Sequence, residues 1–255
     1  MDCPQLQSFN RSLVGSVNVR LVIVNGPLGS GADFSLLEIV RIRALTIAGT
    51  RLLSGFAAAL TAPPKLSWNI RTQIVDVPTP PLGANTAPSA FAHSSIFEAR
   101  EGPWADPALA KLVGVQGNAG YLALRADTLG GADHAVTVMW TRYEAQWVGY
   151  ARWDLARAVL CWPLFDTPGN VRTNVPLTLA AEVVAHELCH LFSAPDEAAP
   201  CRVLDARGCG FGSQDFPNLN CETTAGAAVL KCLMRNPTHR VLCPSTRAHI
   251  GWPLA

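Results

Sequence analysis

Two histidines four positions apart, inside an apolar run, constrain this chain more than any other feature. Residues 179–197 read LAAEVVAHELCHLFSAPDE, with His186-Glu187-Leu188-Cys189-His190 at the centre. Residues four apart on a helix share a face, so both imidazoles reach one ion. Glu187 stands one step round the turn, where its carboxylate reaches a metal-held water without having to be a ligand. Leu179, Val183, Val184, Leu188 and Leu191 give the segment an apolar surface that fixes it in a core. Two histidines and a glutamate buried there for no chemical purpose would each need a partner. The pattern therefore marks one metal ion, zinc, at His186 and His190, with Glu187 as general base.

The residues that follow extend the pattern. His186-Glu187-x-x-His190-x-x-Ser193-x-x-Asp196 resembles the extended zinc signature of the metzincin metallopeptidases, H-E-x-x-H-x-x-G-x-x-H/D. The resemblance implies Asp196 as third ligand. Glu197, its neighbour, and Glu222, from a later segment, are the rivals. Where the family has a glycine that lets the chain bend sharply toward the metal, this chain has Ser193, which tolerates a positive φ less well. Pro195 ends the helix by about residue 193. The family also carries a methionine in a tight turn beneath the metal, and Lys231-Cys232-Leu233-Met234-Arg235-Asn236-Pro237 supplies Met234 beside an Asn-Pro turn. The ending Cys243 to Trp252 is similar to the closing helix of bacterial metzincin-like proteins. The likeness is specific over residues 179–252 and topological before them.

Composition narrows the alternatives. Of 255 residues, 49% are hydrophobic and 15% charged, which specifies a well-buried globular chain. A net charge of +1 gives no footing for nucleic acid. The longest hydrophobic stretch, 34–60, is broken by Glu38, Arg41, Arg43 and Arg51, so no membrane span is expected. Residues 1–18 lack the apolar core of a secretion signal. Six of the eight cysteines crowd into residues 189–243, which favours an exported, disulfide-stapled region with at least two bridges among Cys201, Cys209, Cys221, Cys232 and Cys243. No C-x-x-C pair points to a second structural zinc.

In chain order, 17–25 reads as a strand buried on both faces, and Ser35 with Glu38 as a capping box opening a helix toward residue 60. The glycine-rich turn between them matches neither dinucleotide nor phosphate-loop spacing and is taken as a crossover turn. Strand 67–76 follows. In 77–133 one short helix is expected after Asp106-Pro107. Segments 135–141, 146–152 and 157–163 complete a mixed five-stranded sheet of an α/β fold. The resemblance makes 146–152 the antiparallel edge strand that lines the substrate cleft, with Gly149 and Tyr150 as its substrate-facing residues. Asp205, Asp215, Asn218, Asn220 and Glu222 offer oxygens that would suit a calcium ion.

The expected organisation is one catalytic domain over 1–255, with an upper part at 17–192 and a lower, irregular, cysteine-rich part at 193–255. The expected function is zinc-dependent endopeptidase action by a monomer on a protein or peptide substrate. A non-peptidase zinc hydrolase, or a catalytically weak binding protein on the same scaffold, is the alternative. No G-x-S-x-G supports a serine hydrolase.

Overall fold

The computed structural model describes residues 10, 12–80, 94–143, 147–165, 175–198, 218–223 and 230–253, with side chains from residue 101 onward in the helix that begins at 94. Its frame is a sheet of five strands, β1 (Gly15–Asn25), β2 (Leu66–Asp76), β3 (His134–Thr141), β4 (Gly149–Arg152) and β5 (Arg157–Cys161), in the order β2-β1-β3-β5-β4. β1 runs parallel to β2 and β3, and β3 parallel to β5. Only β4, at the edge, is antiparallel. The apolar run of β1 is explained by its position: strand neighbours on both sides and helices on both faces leave no solvated face.

Alternation along the strands sorts side chains into two layers. Val17, Val19, Leu21 and Ile23 join Val136, Val138 and Trp140 on one face, beneath α1 (Leu36–Ala58) and α4 (Ala180–Leu191). Val22, Val24, Met139 and Val159 face the other way, onto α2 (Ser94–Val113) and α3 (Gly117–Leu129). The Ser35–Glu38 capping box is present in both directions, and Glu38 also pairs with Arg142. Where α1 crosses α4, Gly49 lets the backbones meet. A Cβ there would lie 2.6 Å from Val184 Cγ1 and 2.8 Å from the Ala181 carbonyl oxygen. The motif helix is thus seated on α1 through a contact that only glycine allows.

The structure corrects the reading of 77–133. Instead of one short helix it holds α2 and α3, and α2 runs through Pro103 and Pro107. Trp104, Ala105, Ala108 and Leu109 recur at helical spacing and are buried against Tyr121 and Leu124 of α3. That burial outweighs the backbone hydrogen bonds the prolines forfeit. No helix of the described residues is long and apolar enough to cross a membrane.

The chain closes with α5 (Pro244–His249). Beyond it, the Ile250 carbonyl accepts from the Leu13 N–H at 2.8 Å, and the Trp252 indole donates to the Leu13 carbonyl at 2.6 Å. The last segment is therefore fastened to the residues that lead into β1.

Candidate metal centre

α4 ends in a way that aims the chain back at its own last turn. The Ser193 N–H bonds the His190 carbonyl at 3.0 Å, and the Ala194 N–H bonds the Cys189 carbonyl at 3.1 Å. This is the paired arrangement of a Schellman cap, with Ser193 in the left-handed conformation at φ +77°. Pro195 then prevents the helix from resuming, and Asp196 arrives beside the histidines. A serine holds this position at a cost of about 1–2 kcal/mol, and its buried hydroxyl has no hydrogen-bond partner among the described residues. Ser193→Gly is accordingly expected to raise stability by about 1 kcal/mol, read from denaturant midpoints, with metal content unchanged.

Three ligand atoms converge there. The Nε2 atoms of His186 and His190 are 3.1 Å apart, and Asp196 Oδ1 lies 3.2 Å from the first and 3.4 Å from the second. Each imidazole places its other nitrogen on a carbonyl: His186 Nδ1 on Leu233 at 3.1 Å, His190 Nδ1 on Ala194 at 2.7 Å. A carbonyl only accepts, so each Nδ1 carries the proton and each Nε2 presents a lone pair. Two lone pairs and a carboxylate oxygen facing one another repel unless a cation lies between them. The donor set fits zinc, whose bonds to nitrogen and oxygen of about 2.0–2.1 Å make tetrahedral edges of about 3.3 Å.

Without a metal, protons serve as the cation. Burial pushes His190 down, but the Asp196 carboxylate more than reverses this and holds it up at about 9. His186 is raised in the same way. Desolvation raises the Asp196 carboxyl, and the two imidazoles overcome it and keep the group well below the usual carboxylate range.

Glu187 is 5% exposed, and burial raises its carboxyl against the pull of both imidazoles. Its Oε2 is buried with no hydrogen-bond partner among the described residues. The other oxygen lies under the edge strand: a Cβ on Gly149 would come within 2.7 Å of Glu187 Oε1 and 3.0 Å of its Cγ. Gly149→Ala is expected to displace this flexible carboxylate rather than the fold. Melting temperature and metal content should stay close to wild type while peptide hydrolysis falls at least about tenfold, measured as kcat/KM.

The structure separates two residues that the sequence reading joined. Gly149 faces α4, but Tyr150 points to the other side of the sheet. Its hydroxyl donates to Glu101 Oε2 at 2.8 Å, and Arg157 pairs with the same carboxylate at 2.9 Å. Strand alternation makes the split inevitable once β4 is paired with β5. Tyr150 is corrected from a cleft residue to an anchor of the edge strand.

Met234 is fully buried in the turn after Leu233, whose carbonyl holds His186. Glu222 pairs with Arg235, and Glu197 is buried with its carboxylate on Thr246, Cys243 and Asn220, so of the three candidate ligands Asp196 is the one beside the histidines. Of the oxygen-bearing residues considered for calcium, Asp205 and Asp215 lie outside the described residues. Asn218 and Asn220 donate to Asp196 and Glu197.

The cysteine expectation is corrected. Among the described residues Cys161, Cys189, Cys232 and Cys243 are thiols outside any disulfide, and Cys221 is in a disulfide whose partner lies outside them. Cys201 and Cys209, also outside, leave room for one bridge within the expected set of five, not two. Burial raises the Cys189 thiol far above its ordinary value and keeps it inert. Thiol titration of the denatured, unreduced protein should find at least these four thiols.

No family model matches the chain, and no curated protein does. Among solved structures it is similar to an archaemetzincin from Methanopyrus kandleri, at 12% identity over 91% of this chain and 93% of that one, with a TM-score of 0.35. A likeness that loose carries no weight for this chain beside its own geometry.

Proposed function

We propose that the protein is a zinc-dependent endopeptidase of metzincin type, acting on protein or peptide substrates. What carries this reading is the convergence of His186 Nε2, His190 Nε2 and Asp196 Oδ1 within 3.1–3.4 Å of one another, beside a buried glutamate with one oxygen unspent. The three residues would hold zinc, which when bound supplies a Lewis acid and acidifies a water in its open position. Glu187 acts as the base that accepts a proton from water and returns it to the departing amine. His186 and His190 are held in register by the Leu233 and Ala194 carbonyls, so the ligands do not reorganise during turnover. The edge strand β4, antiparallel and with one side unpaired among the described residues, would align an extended peptide by main-chain hydrogen bonds. The test is elemental analysis of the purified protein together with a peptide-library digest. One equivalent of zinc and cleavage abolished by a chelator support the reading. Zinc with no cleavage of any peptide would leave a metal centre and remove the peptidase.

A further inference from the structure

The residue after the third ligand carries a carboxylate that points the other way. Glu197 is 1% exposed. Its Oε1 accepts from the Thr246 hydroxyl at 2.7 Å and the Cys243 thiol at 2.9 Å, and its Oε2 accepts from Asn220 Nδ2 at 2.6 Å. Its N–H donates to the Met234 carbonyl at 3.0 Å, and its carbonyl accepts from the Glu222 N–H at 3.1 Å. Both backbone groups and both carboxylate oxygens are therefore engaged, and between them they tie together three segments, around Asn220–Glu222, Met234 and Cys243–Thr246. The same segments touch the metal ligands. Asn218 Nδ2 donates to the Asp196 carbonyl at 2.7 Å, and Leu233, beside Met234, holds His186. A buried carboxylate is expensive unless fully bonded, so this one fixes the relative placement of everything attached to it.

We propose that Glu197 is a positioning residue: through Thr246, Cys243 and Asn220 it clamps the turn that presents Asp196, and so sets metal affinity without touching the metal. The inference rests on the zinc reading above. A competing use of the same atoms exists, because Glu197, Cys232 and Cys243 bring one ligand atom each within 4.8 Å of one another. The hydrogen-bond pattern favours the clamp, since three donors already converge on the carboxylate.

Cobalt(II) titration of metal-stripped protein separates the possibilities. Wild type should take up one equivalent, with d–d absorption and no sulfur-to-cobalt charge-transfer band. Glu197→Gln, which turns an N–H₂ toward one of the donors, should bind cobalt about ten- to a hundredfold more weakly with an altered d–d spectrum. Thr246→Val, which removes one donor at constant volume, should show a smaller loss in the same direction and serves if the glutamine variant does not fold. Cys243→Ser keeps a donor and should bind like wild type. Unchanged affinity and spectrum in both Glu197→Gln and Thr246→Val overturn the clamp. A second cobalt equivalent with a thiolate band, lost in Cys243→Ser, overturns it in favour of a second metal site. Wild type that binds no cobalt removes the clamp and the zinc reading together. Cobalt binding without peptide hydrolysis removes the peptidase and leaves the clamp standing.

Discussion

Glu187→Gln is expected to keep its metal and to lose peptide hydrolysis by at least about a hundredfold, the scale of a general base removed. The metal should stay because the converging atoms belong to His186, His190 and Asp196, and glutamine fills the same volume beneath Gly149. The fold should also survive. Burial raises the Glu187 carboxyl above its ordinary value, so in the metal-free protein the ionised form opposes folding above the unfolded-state pKa, and increasingly so as pH rises toward the folded value. An amide carries no such penalty, and the metal-free variant should melt no lower than wild type near neutrality. Zinc analysis, thermal melting and kcat on one peptide read all three outcomes. A variant with zinc and full activity would end the proposed chemistry.

Asp196→Ala is expected to weaken zinc binding by more than about a hundredfold, beyond the range seen for groups that only support a ligand, whereas Glu222→Ala should bind as wild type does. Glu222 is spent on Arg235, and its loss takes nothing from the histidines. The same substitution has a signature in the metal-free protein. His190 is lowered by burial and held up at about 9 by Asp196, so removing the carboxylate should drop its titration, followed by NMR of the ring protons. In wild type, zinc must displace that proton, and affinity should fall as pH goes below about 9. Asp196→Ala should show a flatter dependence. Competition titrations at several pH values measure both effects. Zinc loss in Glu222→Ala and retention in Asp196→Ala would replace the third ligand.

Those features are legible in the sequence because they are local. The H-E-x-x-H spacing, Pro195 and the six-residue step to Asp196 all lie within one helix and its cap, and the Ser35–Glu38 box announces its own helix. Strands declared themselves by alternation or by runs of β-branched residues. What stayed hidden depends on partners distant in the chain. The part of α2 before Pro107 stays hidden because nothing near Pro103 and Pro107 shows that Trp104 and Leu109 are buried against α3. The opposite roles of Gly149 and Tyr150 follow from pairing with β5, which fixes which face each takes. Cysteine count suggested bridges, yet Cys243 spends its thiol on Glu197, 46 positions away. The one sequence hint at that clamp is a glutamate directly after a ligand, and in the sequence it reads only as a rival for the metal.

The fastening of Leu13 to Ile250 and Trp252 bears on how the protein breathes. Among the described residues after α4 only α5 is regular structure, and turns of that kind by themselves exchange their amide protons through frequent local openings. Its described residues are tied at one end to the ligand helix and at the other, through Ile250 and Trp252, to the lead-in of the central strand. Releasing Asp196 also breaks the Asn218 bond to its carbonyl and the Glu197 bonds to Met234, Asn220 and Thr246. The amides of Glu197 and Leu233 should therefore exchange with the slow, cooperative class that reports β1 rather than with the surface turns.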